Sequence, residues 1–243
     1  MKKQFLGFGF LLLMATIGFA QSDKNLVFDA NAQVRKLSSF NSIEVTGAIN
    51  LFLSQGTEEA VAVSAGDDEL INRIRTSVRD NVLYIDFDGK GLGWKNWSNN
   101  KIKAYVTFSS LKRIEASGAC NVKTVDQLKS NDLKIELSGA SDLTGDIAIE
   151  NLSVILSGAS NCTLKGIAEK ASFNCNGASS AKAYELKINY AKMDASGASS
   201  IRVTVNKEMN ARASGASSIN YKGEGLIKDL SSSGAASVKH RTD

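Results

Sequence analysis

Three acids that share one repeated position, Glu115, Glu136 and Asp194, come nearest to a catalytic arrangement in this 243-residue chain. Paired carboxylates can cleave glycosidic bonds, one as acid and the other as base or nucleophile. Repeat geometry alone explains why they share a position, so a polysaccharide-degrading enzyme is the minor alternative. The single histidine, His240, lies in the C-terminal tail and gives no basis for a Ser-His-Asp triad. Ser109-Ser110-Leu111-Lys112 has a Ser-x-x-Lys spacing that is common by chance. Gly89-Lys90-Gly91-Leu92-Gly93 follows a strand pattern, but no helix comes after it, so it is not read as a phosphate loop. The sequence holds no metal-ligand cluster and no Asp-Gly calcium repeat. The expectation is a non-enzyme with no cofactor and no metal.

Binding chemistry has one compact candidate. The segment Asp88 to Asn100 carries both tryptophans, Trp94 and Trp97, among Gly, Asn and Lys and between two strand patterns. Aromatic faces flanked by amides suit a sugar or a protein partner. The same rings could instead fold back as an apolar plug, since buried aromatics supply large apolar area. Trp94 and Trp97 are therefore the candidate binding residues.

What positions these groups is a repeat. Ser-Gly-Ala-Ser or a close variant returns at Gly118, Gly139, Gly158, Gly177, Gly197, Gly215 and Gly234, with spacings of 21, 19, 19, 20, 18 and 19 residues. A fixed period near 19 marks a solenoid in which each repeat is one stacked coil. Aligned on the glycine, the fourth residue before it is always apolar (Ile114, Ile135, Val154, Phe173, Met193, Ala211, Leu230). The fourth after it is apolar too (Val122, Leu143, Cys162, Ala181, Ile201, Ile219, Val238), and the fifth after it is polar throughout. This is period-two alternation on both sides of a bend. Antiparallel hairpins would need two turn signals per period, and only one is constant, so parallel coils are expected. Seven coils at about 4.8 Å make a rod of roughly 30 Å. Cys162 and Cys175 occupy core positions, while the state of Cys120 is open. The absence of proline suits long ladders of backbone hydrogen bonds. Serines beside each glycine are expected to form ladders along the rod.

Residues 21–113 are expected to be an irregular β segment capping a repeat region of 114–243 and continuous with it. Its strand patterns are Ile43–Val45, Ile49–Leu53, Val61–Val63, Val82–Phe87 and Lys101–Phe108, with a short helix over Asp67–Ile74. Residues 1–20 read as a secretory signal peptide, with Lys2 and Lys3 before an apolar run that ends at Gly18-Phe19-Ala20. The run is short for a membrane span, and no second span follows. Setting Lys2 and Lys3 aside leaves 27 basic against 25 acidic residues without a basic run, which argues against nucleic acid.

The signal peptide, the opening Phe40-Asn41-Ser42-Ile43-Glu44-Val45-Thr46-Gly47-Ala48-Ile49-Asn50 and the Ser-Gly-Ala-Ser units together resemble the putative auto-transporter adhesin, head GIN domain family of exported bacterial proteins. The resemblance covers roughly residues 37 to 240, and the repeated unit is its stronger part. It implies an all-β fold, a single-stranded right-handed parallel β-helix, with a role in adhesion and no established catalytic residues. The expected function is a non-enzymatic exported protein of the periplasm, cell surface or extracellular space that binds carbohydrate or an envelope surface. The alternative is a structural or assembly component of the envelope that binds protein.

Overall fold

Alternation of inward and outward side chains governs the chain from residue 42 onward. The computed structural model describes residues 29, 31–91 and 102–242. The segment 1–20 and the tryptophans lie outside them. Seven strands and one helix precede the regular repeats: β1 (Gln33–Arg35), β2 (Ser42–Gly47), β3 (Asn50–Gln55), β4 (Ala60–Ser64), α1 (Asp68–Asn72), β5 (Ile74–Arg79), β6 (Val82–Phe87) and β7 (Lys103–Phe108). The repeats supply β8 (Arg113–Gly118), β9 (Asn121–Thr124), β10 (Leu128–Leu137), β11 (Asp142–Leu156), β12 (Asn161–Cys175), β13 (Ser180–Ala195), β14 (Ser200–Ala213), β15 (Ser218–Lys222), β16 (Leu226–Ser232) and β17 (Ser237–His240).

Each repeat is one coil of a parallel β-solenoid. A strand enters the Ser-Gly-Ala-Ser turn and a strand leaves it, and both pair in parallel with their counterparts one coil earlier. Val154 sits opposite Ile135, Phe173 opposite Val154, and Met193 opposite Phe173. All four are fully buried, as are Val122, Cys162, Ala181 and Ile201 from the other side of the turn. Each large aliphatic side chain so buried contributes on the order of 1.5–3 kcal/mol. A one-residue slip would expose the whole set.

The turns are held by a glycine ladder. The Ala159 amide donates to the Gly139 carbonyl at 2.8 Å, and the Ala178 amide to the Gly158 carbonyl at 2.8 Å. A Cβ on Gly158, whose φ is +69°, would lie 2.6 Å from that Gly139 oxygen. Glycine is therefore required twice over, by the positive φ and by the approach of the next coil.

The ladder begins earlier than the repeat suggests. Gly47 stands in register with Gly118, and the Ala119 amide donates to the Gly47 carbonyl at 2.7 Å. The opening Gly47-Ala48-Ile49-Asn50 is thus the first rung of the same stack. The chain between Gly47 and Gly118 hides it by adding a further coil on the far side. There β6 pairs in parallel with β2, and β7 with β3.

That outer coil is closed by antiparallel strands. The β5–β6 hairpin turns at Asp80 and Asn81, both with positive φ (50° and 61°), as a two-residue hairpin requires. β4 pairs antiparallel with β7, and β1 with β4. The helix is capped by the Asp67 side chain, which accepts from the Leu70 amide, and it buries Leu70 and Ile71. At the other end nothing among the described residues stacks on the last coil. Leu230 occupies a core position yet is 48% exposed, beside Ile227 at 38%.

The serine ladders divide. Ser141, Ser160, Ser179, Ser199 and Ser217, two residues after their glycines, are buried rather than on an outer face. Ser160 donates to the Ser157 carbonyl at 2.8 Å, and Ser199 to the Cys175 carbonyl at 2.9 Å. Each of these two hydroxyls finds a partner in a turn carbonyl, as a buried polar group requires. Cys120 stands in the same position, with its thiol 3.3 Å from the Ser117 carbonyl. All three cysteines are free and buried. Burial pushes each thiol up, that of Cys175 to about 12.

Candidate functional site

The acid row is brought together as its spacing predicts. Glu44, Glu115 and Glu136 occupy successive rungs of one outward column. Arg113 then engages both of the catalytic candidates. Its guanidinium pairs with Glu115, and its Nε donates to Glu136 at 2.8 Å. Lys134 adds a contact to Glu136 at 3.0 Å. Burial alone would raise the Glu136 carboxyl, but the hydrogen bonds from Arg113 and Lys134 outweigh it and hold the group below the usual carboxylate range. A general acid needs the opposite shift. Further along the row, Asp194 lies opposite Arg212, which binds Asp229 at 2.8 Å.

The other weak motifs separate as well. The Ser109 hydroxyl donates to Glu59 at 3.1 Å, and His240 packs on Tyr221 and sits 3.1 Å from the Gly223 carbonyl. Among the described residues no group of three His, Cys, Asp or Glu could hold a metal ion.

Trp94 and Trp97 fall within 92–101, outside the described residues. In the chain they fall between β6 and β7.

A concave feature lies elsewhere, in the half-coil that follows the glycine turns. A groove of about 450 Å³ crosses five successive coils. Its shape comes from coil length. The coil from Gly118 to Gly139 has 21 residues and ends its first half in the loop Val125-Asp126-Gln127. The next two coils have 19 each, and the coil from Gly177 to Gly197 has 20. In that longer coil β13 gains one residue on β12 between Lys182 and Glu185, and Tyr184, Glu185 and Leu186 have no partner in β14. The extra residues form a bulge. The Thr204 hydroxyl caps it by donating to the Tyr184 carbonyl at 2.7 Å. The loop and the bulge are two walls. The short coils between them are the floor, with Thr144, Gly145, Thr163 and Leu164.

One outward row runs the length of this groove. Lys123, Thr144, Thr163, Lys182 and Arg202 stand opposite one another on successive rungs, all exposed. The row continues past Lys123 into Phe52 and then Tyr105, whose rings stack at 5.2 Å. The Tyr105 hydroxyl and Lys103 both hold Asp29, at 2.8 and 2.9 Å, and the Lys103 hydrogen bond keeps that carboxyl far below its ordinary value.

The charges in the groove are unevenly satisfied. Asp146 pairs with Lys165 at 3.5 Å and accepts from Gln127, while Asp126 accepts from the Ser54 hydroxyl at 2.7 Å. Among the described residues Lys123, Lys182 and Arg202 have no ion pair or hydrogen bond, and Glu185 is the one acid lining the groove without a partner. Lys222 lies over the Tyr184 ring at 5.2 Å. The signals in the sequence were the uneven glycine spacing and the basic members of the fifth position after each glycine.

Fold and site together define a parallel β-solenoid with a groove along one flank in which an outward row of Lys, Thr and Arg runs. The sequence model of the "Putative auto-transporter adhesin, head GIN domain" family matches residues 39–225, and the chain belongs to that family. No curated protein matches it. Among solved structures it is similar to a putative adhesin from Bacteroides fragilis NCTC 9343 (25% identity, TM-score 0.80, covering 86% of this chain and 96% of that one). It also shares its fold with a putative lipid binding protein from Parabacteroides distasonis ATCC 8503 (22% identity, TM-score 0.68, 88% and 98% covered). A putative adhesin from Parabacteroides merdae ATCC 43184 has the same fold (18% identity, TM-score 0.68, 87% and 95% covered). Among the described residues no helix is long and apolar enough to cross a membrane.

Proposed function

We propose that the chain is an exported, non-enzymatic, adhesin-like protein that holds a polysaccharide or envelope surface in the groove between the Val125–Gln127 loop and the Tyr184 bulge. The observation that carries this reading is the groove itself, in which two short coils lie between longer ones and an outward row of unpaired polar groups lines the floor. A purely structural rod gains nothing from uneven coils. Family membership and the Bacteroides neighbour support attachment as the role. The Arg113 bridge across Glu115 and Glu136 speaks against hydrolysis.

The test is a bulky uncharged substitution on the floor. Thr163→Trp points outward from an exposed position and leaves every charge in place. Attachment of the protein to immobilised envelope polysaccharides should be lost while thermal unfolding is unchanged. Undiminished attachment would remove the groove from the account. Loss confined to a Trp94→Ala/Trp97→Ala variant would move the site to residues 92–101. Attachment to an envelope protein and to no polysaccharide would favour the assembly role.

A further inference from the structure

The groove row has an electrostatic problem that a ligand would solve. Lys182 and Arg202 stand directly opposite each other on neighbouring rungs, about 4.8 Å apart at the backbone. Like charges so placed are destabilising. Lys123 lies on the same row three rungs away, roughly 14 Å by strand spacing. The groove acids Asp126 and Asp146 are engaged by Ser54, Gln127 and Lys165, so they do not quench these cations. Glu185 supplies a single opposing charge.

Resting on the adhesin reading, we infer that the groove takes an acidic polysaccharide, one bearing carboxylate or sulfate groups, that lies along the rod axis. Lys182 and Arg202 grip one acidic group and Lys123 takes another, with Thr144 and Thr163 hydroxyls on the floor between them. Guanidinium and ammonium donors bind carboxylate and sulfate by charge-assisted hydrogen bonds. A polymer is favoured over a lone anion because the cations are spread along an open trough. A membrane surface is disfavoured because the row is recessed between two walls and the apolar floor residue, Leu164, is 2% exposed.

The experiment titrates the purified protein with polygalacturonate, dextran sulfate, neutral dextran and phosphatidylglycerol vesicles. It compares wild type with Lys182→Gln/Arg202→Gln, with Thr163→Trp, and with a Lys36→Gln/Lys112→Gln control that removes the same charge from exposed positions elsewhere. The acidic polymers should bind wild type and control alike, more weakly as salt rises. The Lys182→Gln/Arg202→Gln variant should lose at least about tenfold in affinity. Equal binding by that variant and wild type overturns the inference. So does binding to vesicles with none to either acidic polymer. Binding of neutral dextran that Thr163→Trp abolishes and Lys182→Gln/Arg202→Gln leaves intact would keep the groove and discard the acidic ligand. Binding untouched by all of the variants would discard both.

Discussion

The outward rows on the two sides of the glycine turn share one scaffold and opposite electrostatics. Before the turn, Glu44, Glu115 and Glu136 stack at strand spacing, and Arg113 and Lys134 reach across to neutralise Glu115 and Glu136. After the turn, Lys123, Lys182 and Arg202 stand on the same lattice, and no acid forms an ion pair with them among the described residues. The reason is local. Residues two apart on a strand share a face, so Glu115 and Glu136 have Arg113 and Lys134 as neighbours. The corresponding neighbours of Lys182 are Ser180 and Tyr184, and those of Arg202 are Ser200 and Thr204. The first flank is tied together by its ion pairs, and the second leaves its cations open to the ligand proposed for the groove.

The largest effect is expected where the turn that joins the rows is lost. Gly158→Val places a side chain against the Gly139 carbonyl at a φ of +69°, and should cost about 3 kcal/mol or more in urea unfolding. Gly91→Ala, at a φ of +76° with nothing among the described residues within 4 Å, should cost only about 1 kcal/mol of backbone strain. Equal losses at the two sites would count against the stacked ladder.

Charge reversal sharpens the contrast next. Lys182→Glu gives Arg202 a partner across the rung, so acidic-polymer binding should drop by more than about tenfold. Stability should rise by a few tenths of a kcal/mol. A fall in both would mean that the open row is structural. On the paired flank, Arg113→Ala should do the reverse, leaving binding intact and costing about 1 kcal/mol, since these groups are partly exposed. The pH dependence has a defined sign. Glu136 is held below its ordinary value of 4.5, so its contribution is present above that pH and is lost as pH falls through the lowered value. Arg113→Ala should therefore flatten the acid limb of the stability curve.

The smallest effect at neutral pH belongs to the interior that both rows share. Burial holds the Cys175 thiol near 12 against an ordinary 9.0. Its contribution is whole below about pH 9 and is lost as pH climbs toward 12, because the unfolded chain releases its proton first. Urea midpoints should fall between pH 8 and pH 10.5, and a thiol reagent should label the cysteines only as the protein unfolds.

The glycine period and flanking alternation announced parallel coils, and the buried positions of Cys162 and Cys175 followed from their columns. Gly47 was harder to place, because the chain that separates it from Gly118 forms a coil stacked on the opposite side, and chain order does not give stacking order. The closing strands β1 and β5 were missed: Gln33–Arg35 is three residues long, and Ile74 at the head of β5 continued the apolar pattern of the helix. The groove was written in spacings of 21, 19, 19 and 20, but a length difference becomes a wall only when the register shows where the surplus residues go. The buried serines defied the polarity of their type because Ser160, Ser199 and Ser217 each meet a turn carbonyl.

The most direct measurement is amide chemical-shift mapping of the isotope-labelled protein with a galacturonate oligosaccharide. The account predicts shifts clustered at Lys123, Thr144, Gly145, Thr163, Lys182, Tyr184 and Arg202, with Glu115 and Glu136 unmoved. Shifts centred on the glutamate row, or confined to residues 92–101 around Trp94 and Trp97, would contradict it.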